Sequence, residues 1–193
     1  MTLKWVEPLS NGGCPLLGYA LFRDDGLSSL PIIEVNSSSD PLVRNIPTLT
    51  EVTANLNSAD LGKKFTYVLR AFNREGQVTS DQVSFLFSTV PSTPSAGPIV
   101  TSYSSTKLTA KYLFADSTGG SPIVSYHLQL MLAYSGSWTD VTGSDSLHSL
   151  ATEHTISGLK KGAVYSLRYR VLNDKGWSQF SLETTITAAD VPS

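Results

Sequence analysis

The fold of this chain is decided by a stretch that occurs twice, first as N-G-G-C-P-L-L-G-Y-A-L-F at residues 11–22 and again as T-G-G-S-P-I-V-S-Y-H-L-Q-L at residues 118–130. Each copy begins with a Gly-Gly turn, passes through a proline and enters a run of alternating apolar residues that contains a tyrosine. This order is typical of a turn that leads into a half-buried β-strand. Its recurrence predicts a tandem repeat.

Two further landmarks recur around that stretch. Trp5 lies seven residues before the first Gly-Gly pair, and Tyr112 lies seven residues before the second. The turn Asn73-Arg74-Glu75-Gly76 returns as Asn173-Asp174-Lys175-Gly176. No helical period is found in either copy, so the sequence predicts an all-β chain of two β-sandwich domains in series.

A proline-rich stretch separates the two copies. Three prolines in Val90-Pro91-Ser92-Thr93-Pro94-Ser95-Ala96-Gly97-Pro98 stiffen the chain and interrupt strand pairing. We therefore predict a first domain over 1–90, a linker over 91–97 and a second domain over 98–193. Only four residues precede Trp5, so the first domain is expected to lack its opening strand, as in an N-terminally truncated excerpt from a longer array.

Composition and charge exclude several classes of function. The 193 residues are 40% hydrophobic and carry a formal net charge of -2. Seven basic and nine acidic residues lie before Thr93, and seven of each follow it, so neither half offers the basic face that nucleic acid requires. No apolar run is long enough to be a transmembrane segment, and the start lacks the apolar centre of a signal peptide.

Several motifs make each copy resemble a fibronectin type III domain. The resemblance rests on Trp5, with Tyr112 in its place in the second copy, and on the Gly-Gly-x-Pro-x-x-x-Tyr entry to the next strand. It also rests on the corner Leu159-x-x-Gly162-x-x-Tyr165. The first copy has Phe65 at the corner tyrosine, so we expect a looser corner there. The resemblance implies a structural core of aromatic residues, namely Trp5, Tyr19, Tyr112, Tyr126, Tyr165 and Tyr169.

Two narrower resemblances suggest different settings. Trp138-Thr139-Asp140, together with residues 176–181, resembles repeats of large multidomain surface proteins of protists. Gly-Gly-Ser-Pro-Ile at residues 119–123 is similar to units of giant cytoplasmic muscle proteins.

A cluster of cationic and aromatic residues is predicted near the end of the second copy. Alternation along the strand from Tyr165 directs Arg168 and Arg170 outward, and Trp177 begins the neighbouring strand. We predict a cation–π clasp among these three side chains. Residues 177–181, W-S-Q-F-S, also resemble the Trp-Ser-x-Trp-Ser box of cytokine receptors.

The sequence offers no catalytic constellation. His127, His148 and His154 are scattered over predicted strands and a loop, without the clustered ligands that a metal site needs. Its only cysteine, Cys14, is a candidate reactive thiol, although a small loop residue serves the fold equally well. Asn36-Ser37-Ser38 matches an N-glycosylation acceptor, with Asn36 as the attachment residue.

These observations predict a non-enzymatic protein without cofactor or small-molecule substrate. We expect a structural and protein–protein interaction module of a longer array, in a cell-surface or extracellular filament-type protein. Its partners would be other domains of the same array or a filament partner, with no nucleic acid. Two alternatives are a cytoplasmic cytoskeletal or axonemal scaffold array and a receptor ectodomain of the cytokine-receptor type.

Overall fold

The computed structural model describes residues 1–27, 30–31, 33–35, 46–113 and 115–190. Within these ranges the regular structure consists of β-strands and one 3-10 turn, with no α-helix. The chain divides into two compact units, Met1–Phe87 and Ser88–Ser193, which we call unit 1 and unit 2. The prediction of an all-β tandem of sandwiches is confirmed.

In unit 1 the described residues form two sheets. The strands, in chain order, are β1 (Thr2–Lys4), β2 (Gly18–Arg23), β3 (Ile33–Glu34), β4 (Glu51–Thr53), β5 (Lys64–Phe72), β6 (Gln77–Thr79) and β7 (Val83–Leu86). β1 and β4 pair as a two-stranded sheet, and the other sheet has the order β3-β2-β5-β6, with β7 also paired to β5. A 3-10 turn at Ser58–Asp60 precedes β5.

Unit 2 repeats this plan with one strand more. Its strands are β8 (Ile99–Tyr103), β9 (Lys107–Lys111), β10 (Ser125–Leu132), β11 (Thr139–Thr142), β12 (Glu153–Ser157), β13 (Val164–Asn173), β14 (Gly176–Trp177) and β15 (Thr184–Thr187). One sheet has the order β12-β9-β8, and the other has the order β11-β10-β13-β14, with β15 also paired to β13. The described part of unit 1 has no strand in the place of β8.

The two units share strand register as well as strand order. Lys4 and Thr2 of β1 stand opposite Glu51 and Thr53 of β4, and β9 and β12 repeat these pairs as Lys111 with Glu153 and Thr109 with Thr155. A one-residue slip would turn every inward side chain outward, so matching registers place equivalent residues on equivalent faces. Residues of the two units can therefore be compared position by position.

Aromatic side chains from the repeated stretch anchor both cores. Tyr19 is completely buried and lies 5.5 Å, centroid to centroid, from Trp5, which is only partly buried. In unit 2 the ring of Tyr112 packs 5.4 Å from Tyr126 and 5.2 Å from Tyr169. Alternation along β13 buries Leu167, Tyr169 and Val171 beside them, as the period of a strand requires.

The Gly-Gly turn is tied to the asparagine turn in each unit. Asn173 donates from Nδ2 to the carbonyl oxygens of Thr89 and Thr118, at 2.7 and 2.8 Å. Asn73 makes the equivalent bond to the carbonyl of Asn11 at 2.8 Å. The Gly-Gly turn and the asparagine turn are therefore one structural unit, which sets how the strand after the Gly-Gly pair meets β5 or β13.

Most of the segment predicted to be a linker packs onto unit 2. Ser92 donates its backbone N–H to the Ser117 carbonyl at 2.9 Å, and the Ser95 hydroxyl donates to Asp116 at 3.1 Å. Pro94 is fully buried. These contacts explain why the division falls between residues 87 and 88, just before the predicted end of the first domain.

Candidate functional site

The most organised side-chain cluster of the described residues is a stack of alternating rings and guanidinium groups on unit 2. Arg168 Cζ lies 4.0 Å from the ring centroids of both Trp138 and Phe180. Arg170 Cζ lies 4.5 Å from Trp177 and 4.8 Å from Phe180. The order is therefore Trp138, Arg168, Phe180, Arg170, Trp177, and we call these five residues the ladder.

Strand alternation places the two arginines in the ladder. Arg168 and Arg170 are separated by the buried Tyr169 on β13, so both face the outside of the sheet. Both side chains are half-buried. A guanidinium is weakly hydrated and planar, which suits it to lie flat between rings.

Two serines hold the rings at the spacing that the ladder needs. The backbone N–H of Ser178 donates to the Val171 carbonyl at 2.8 Å, and Val171 donates back to the Ser178 hydroxyl at 3.1 Å. Ser181 makes the same exchange with Tyr169, at 2.8 and 3.1 Å. Ser178 and Ser181, which bond to β13, are three residues apart, whereas a regular strand would bond through every second residue. Because the residues just before these two serines then occupy equivalent places, Trp177 and Phe180 lie on the same face of the sheet.

A buried histidine lies beneath the ladder. His127 is 3% exposed, and its ring centroid lies 5.7 Å from Trp177 and 5.8 Å from Phe180. Arg170 Nε donates to His127 Nδ1 at 3.1 Å, because a guanidinium N–H can only donate. His127 Nε2 is then the nitrogen that donates to Asp140, at 2.7 Å.

A glutamine closes the other end of this polar network. Gln129 Oε1 accepts two hydrogen bonds from Arg168, at 3.0 and 2.8 Å, and Gln129 Nε2 donates to Asp140 at 2.9 Å. The hydrogen bond from Gln129, followed by the bond from His127, holds the pKa of Asp140 below its ordinary value. Burial lowers the pKa of Arg168.

This arrangement is suited to stiffening a sheet face. Arg170 also donates to Asp145 at 2.8 Å, so both guanidinium groups bond to side chains of the same unit. A cation–π contact contributes about 0.5–1 kcal/mol at an exposed site and more where water is excluded. Among the described residues, no group of three or more His, Cys, Asp and Glu side chains is arranged to hold a metal ion.

The ladder differs from the predicted clasp in membership. Arg170 stacks on Trp177, as predicted for one of the two arginines, whereas Arg168 stacks on Trp138 and Phe180. Sequence reasoning missed Trp138 and Phe180 as members of the ladder, and it missed His127 as the residue beneath them. The three-residue spacing of W-S-Q-F-S was the signal that could have identified Phe180.

The other predicted residues are distributed over both units. Tyr165 accepts a hydrogen bond from the Lys160 backbone N–H at 3.0 Å, across the corner before β13. Cys14 is a half-buried free thiol whose backbone N–H donates to the Asn11 carbonyl at 3.3 Å. Asn36 lies outside the described residues, and its glycosylation stays a prediction.

In unit 1 the corner that lacks the tyrosine is closed differently. Asn57 caps the 3-10 turn by accepting from the Ala59 N–H at 2.9 Å, and Asp60 accepts from the Asn57 N–H at 3.1 Å. Lys63 pairs with Asp60 at 2.9 Å. A capping box therefore takes the place of the tyrosine hydroxyl.

Comparison with known proteins matches residues 92–187 to the family described as "Fibronectin type III domain". Neural cell adhesion molecule 1 of Gallus gallus is 31% identical over 92% of this chain. The Tyrosine-protein phosphatase Lar-like of Caenorhabditis elegans is 28% identical over 98% of it. The chain spans 16% and 9% of the lengths of these two relatives.

A crystal structure of titin domains A168-A170 resembles this chain in fold. The TM-score is 0.59 at 19% sequence identity, covering 90% of this chain and 55% of the titin chain. At that identity the likeness concerns the sandwich architecture alone. Among the described residues no helix is long and apolar enough to cross a membrane.

Proposed function

We propose, from the premise that the second unit of this chain is a fibronectin type III domain, that the chain is a non-catalytic structural and protein–protein interaction module. It would be part of a longer array in a cell-surface or extracellular filament-type protein. The observation that carries the proposal is the pair of sandwiches in matching register, each bound internally by its own hydrogen bonds.

The relatives support a surface setting. An adhesion molecule and a Lar-like tyrosine-protein phosphatase align over nearly the whole chain, so the similarity extends across both units. The ladder adds a rigid outer face to unit 2, which suits a domain that must keep its shape while a partner contacts it. The narrower resemblance to protist surface proteins stays a prediction.

Two alternatives make different predictions about location and partner. A cytoskeletal or axonemal array would keep the chain in the cytoplasm, where the single free thiol of Cys14 would stay reduced. A cytokine-type receptor would bind a soluble protein ligand. The titin likeness favours neither compartment, because it concerns fold.

The deciding experiment is surface biotinylation of the full-length protein in intact cells, with permeabilised cells as the positive control. Labelling of intact cells with a membrane-impermeant reagent is the expected result. Labelling that requires permeabilisation would contradict the surface assignment and favour the cytoplasmic array. A soluble ligand co-purifying with the labelled protein would favour the receptor.

A further inference from the structure

Asn11, in the Gly-Gly turn of unit 1, is the one asparagine of this sequence that glycine follows directly. An asparagine can react with its own backbone when the amide nitrogen of the next residue attacks the side-chain carbonyl carbon and closes a succinimide ring. Glycine permits this attack because it has no Cβ beside the nitrogen. The turn therefore contains the pair of residues that this reaction requires.

Neighbouring groups are placed to assist the two reacting atoms. The Gly13 N–H donates to Asn11 Oδ1 at 2.9 Å, and the Gly12 N–H donates to the Ser10 hydroxyl at 3.2 Å. The first bond polarises the carbonyl under attack and stabilises the negative charge that forms on its oxygen. The second bond gives the attacking nitrogen an acceptor for its proton. Four consecutive residues thus supply the electrophile, the nucleophile, a donor and an acceptor.

The turn is open to the water that the reaction consumes. Asn11 and Gly12 are exposed, and a Cβ placed on Gly12 would come no closer than 3.9 Å to the residues around it. Thr118, the counterpart of Asn11, is exposed as well, although the Thr89 N–H donates to the Gly119 carbonyl there at 2.8 Å. Exposure at this position is therefore a property of the turn itself.

Three other asparagines of the described residues share the side-chain contact but not the following glycine. In each of them Oδ1 accepts a hydrogen bond from the backbone N–H two residues on, at 2.9, 2.9 and 2.8 Å for Asn57, Asn73 and Asn173. The residues that follow them all have a Cβ, namely Ser58, Arg74 and Asp174. Asn57 is exposed like Asn11, so it serves as an internal control for the effect of the next residue.

We propose that Asn11 is a self-modification site, where ring closure onto Gly12 and hydrolysis produce isoaspartate, and that this product releases the Gly-Gly turn from Asn73. In the first step a bond forms between Gly12 N and Asn11 Cγ, and the bond from Cγ to the side-chain nitrogen breaks. The proton lost by Gly12 leaves with that nitrogen as ammonia. Water then opens the ring at one carbonyl to give isoaspartate, or at the other to give aspartate.

Isoaspartate changes the contact that joins the two turns of unit 1. Asn73 Nδ2 donates to the Asn11 backbone carbonyl at 2.8 Å and to the Cys14 carbonyl at 3.4 Å. In isoaspartate the backbone runs through the former side chain, so the carbonyl of residue 11 becomes a free carboxylate and the chain is one carbon longer. Asn73 can still bind this carboxylate, but the carboxylate is no longer joined to Gly12. The turn thereby loses its shorter bond to Asn73.

The test is incubation of the folded chain of residues 1–193 at mildly alkaline pH in water enriched in heavy oxygen. Peptide mapping, with fragmentation that distinguishes isoaspartate from aspartate, then locates the products, and the heavy oxygen marks only conversion during the incubation. We expect conversion of Asn11 at least about tenfold faster than conversion of Asn57, with isoaspartate as a product. Gly12→Ala, which puts a Cβ beside the attacking nitrogen, should slow the conversion at least about tenfold.

NMR spectra of the same samples test the structural consequence. The backbone amide signals of Asn73 and Gly76 should shift as the conversion proceeds. Asn11→Thr cannot form the ring and places at this position the residue that unit 2 has, so it is the matched control. Its spectrum should stay unchanged over the same incubation.

Three results would overturn the proposal: conversion of Asn11 no faster than that of Asn57, equal conversion in the Gly12→Ala and unchanged chains, or isoaspartate formed without any shift at Asn73. The reaction needs only water and does not depend on the proposed function. Surface labelling retained alongside any of these results would leave the proposed function standing.

Discussion

Unit 1 and unit 2 share strand order and register, yet their described residues differ in the contacts that they add to the two sheets. In unit 2 the ladder covers one sheet and β8 completes the other. In unit 1 the arginine equivalent to Arg170 is Arg70, whose Cζ lies 4.3 Å from the ring centroid of Phe22. The residue paired with Arg70 on β2 is Ala20, whereas the residue paired with Arg170 on β10 is His127. One backbone plan thus carries the five-residue ladder in unit 2 and one cation–π pair at the place of Arg170 in unit 1.

The largest expected effect concerns the repeated Gly-Gly turn. A Cβ on Gly119, at φ +72°, would lie 2.2 Å from the Thr89 carbonyl oxygen, whereas at its counterpart Gly12, at φ +69°, the nearest atom is 3.9 Å away. Gly119→Ala should therefore destabilise unit 2 by about 3 kcal/mol, the sum of backbone strain and overlap. Gly12→Ala should cost unit 1 about 1 kcal/mol, from backbone strain alone.

Urea unfolding followed through the resolved NMR signals of each unit measures both changes. Equal losses in the two units would show that the close contact at Gly119 is absent in solution.

Removing the central ring of the ladder should have the next largest effect. Phe180→Ala takes away the ring that both Arg168 and Arg170 contact, so we expect a loss of about 2 kcal/mol in unit 2. Phe22→Ala removes the single ring beneath Arg70 and should cost unit 1 about 1 kcal/mol. The same unfolding assay compares them, and a smaller loss for Phe180→Ala than for Phe22→Ala would contradict the ladder as a stabilising device.

The corner before β13 gives a smaller and more local difference. Tyr165→Phe removes the acceptor of the Lys160 N–H and should destabilise unit 2 by about 1 kcal/mol. Phe65→Tyr is the reciprocal change, and it should bring no gain because the capping box already closes that corner. A stabilised Phe65→Tyr unit would mean that the hydroxyl, and not the local turn, determines the strength of the corner.

Protonation of Asp140, beside the ladder, should have the smallest effect on the stability of unit 2. Because the pKa of Asp140 in the folded chain lies below its ordinary 3.8, its carboxylate stabilises unit 2 fully above that value. The contribution is lost as the pH falls through the folded-state pKa. The carboxylate is half exposed, so the change is modest. Asp140→Asn should flatten this acid limb of the stability curve, and identical limbs in both chains would rule out the contribution.

The sequence predicted the architecture because turns and alternation are local signals. The Gly-Gly turn and the tyrosines mark strand entry and the inward face without reference to any partner strand. The same alternation placed Arg168 and Arg170 outward. A local pattern therefore identified the arginines, although it left their stacking partners open.

The remaining ladder residues, and the histidine beneath them, depend on pairing between strands. His127 meets Arg170 only through the register of β10 on β13. Trp138 directly precedes β11, so its contact with Arg168 requires the pairing of β11 with β10 and of β10 with β13. The position of Phe180 depends on two serine hydroxyls, which accept hydrogen bonds from backbone N–H groups of β13 where a paired strand would offer carbonyl oxygens. Apart from the three-residue spacing of W-S-Q-F-S, which indicates Phe180, these relations cannot be seen in the sequence of a single segment. The same holds for β1, because a comparison with β9 is needed to see that its outer edge has no partner among the described residues.

Amide hydrogen exchange at Lys4 and Lys111 tests this central difference most directly. The two lysines hold the same register position, but β8 covers Lys111 by pairing it with Ile99, while the N–H of Lys4 faces the open edge. We predict rapid exchange at Lys4 and strong protection at Lys111 in the same sample of residues 1–193. Equal protection of the two amides would contradict the account, because it would mean that other residues of this segment cover the outer edge of β1.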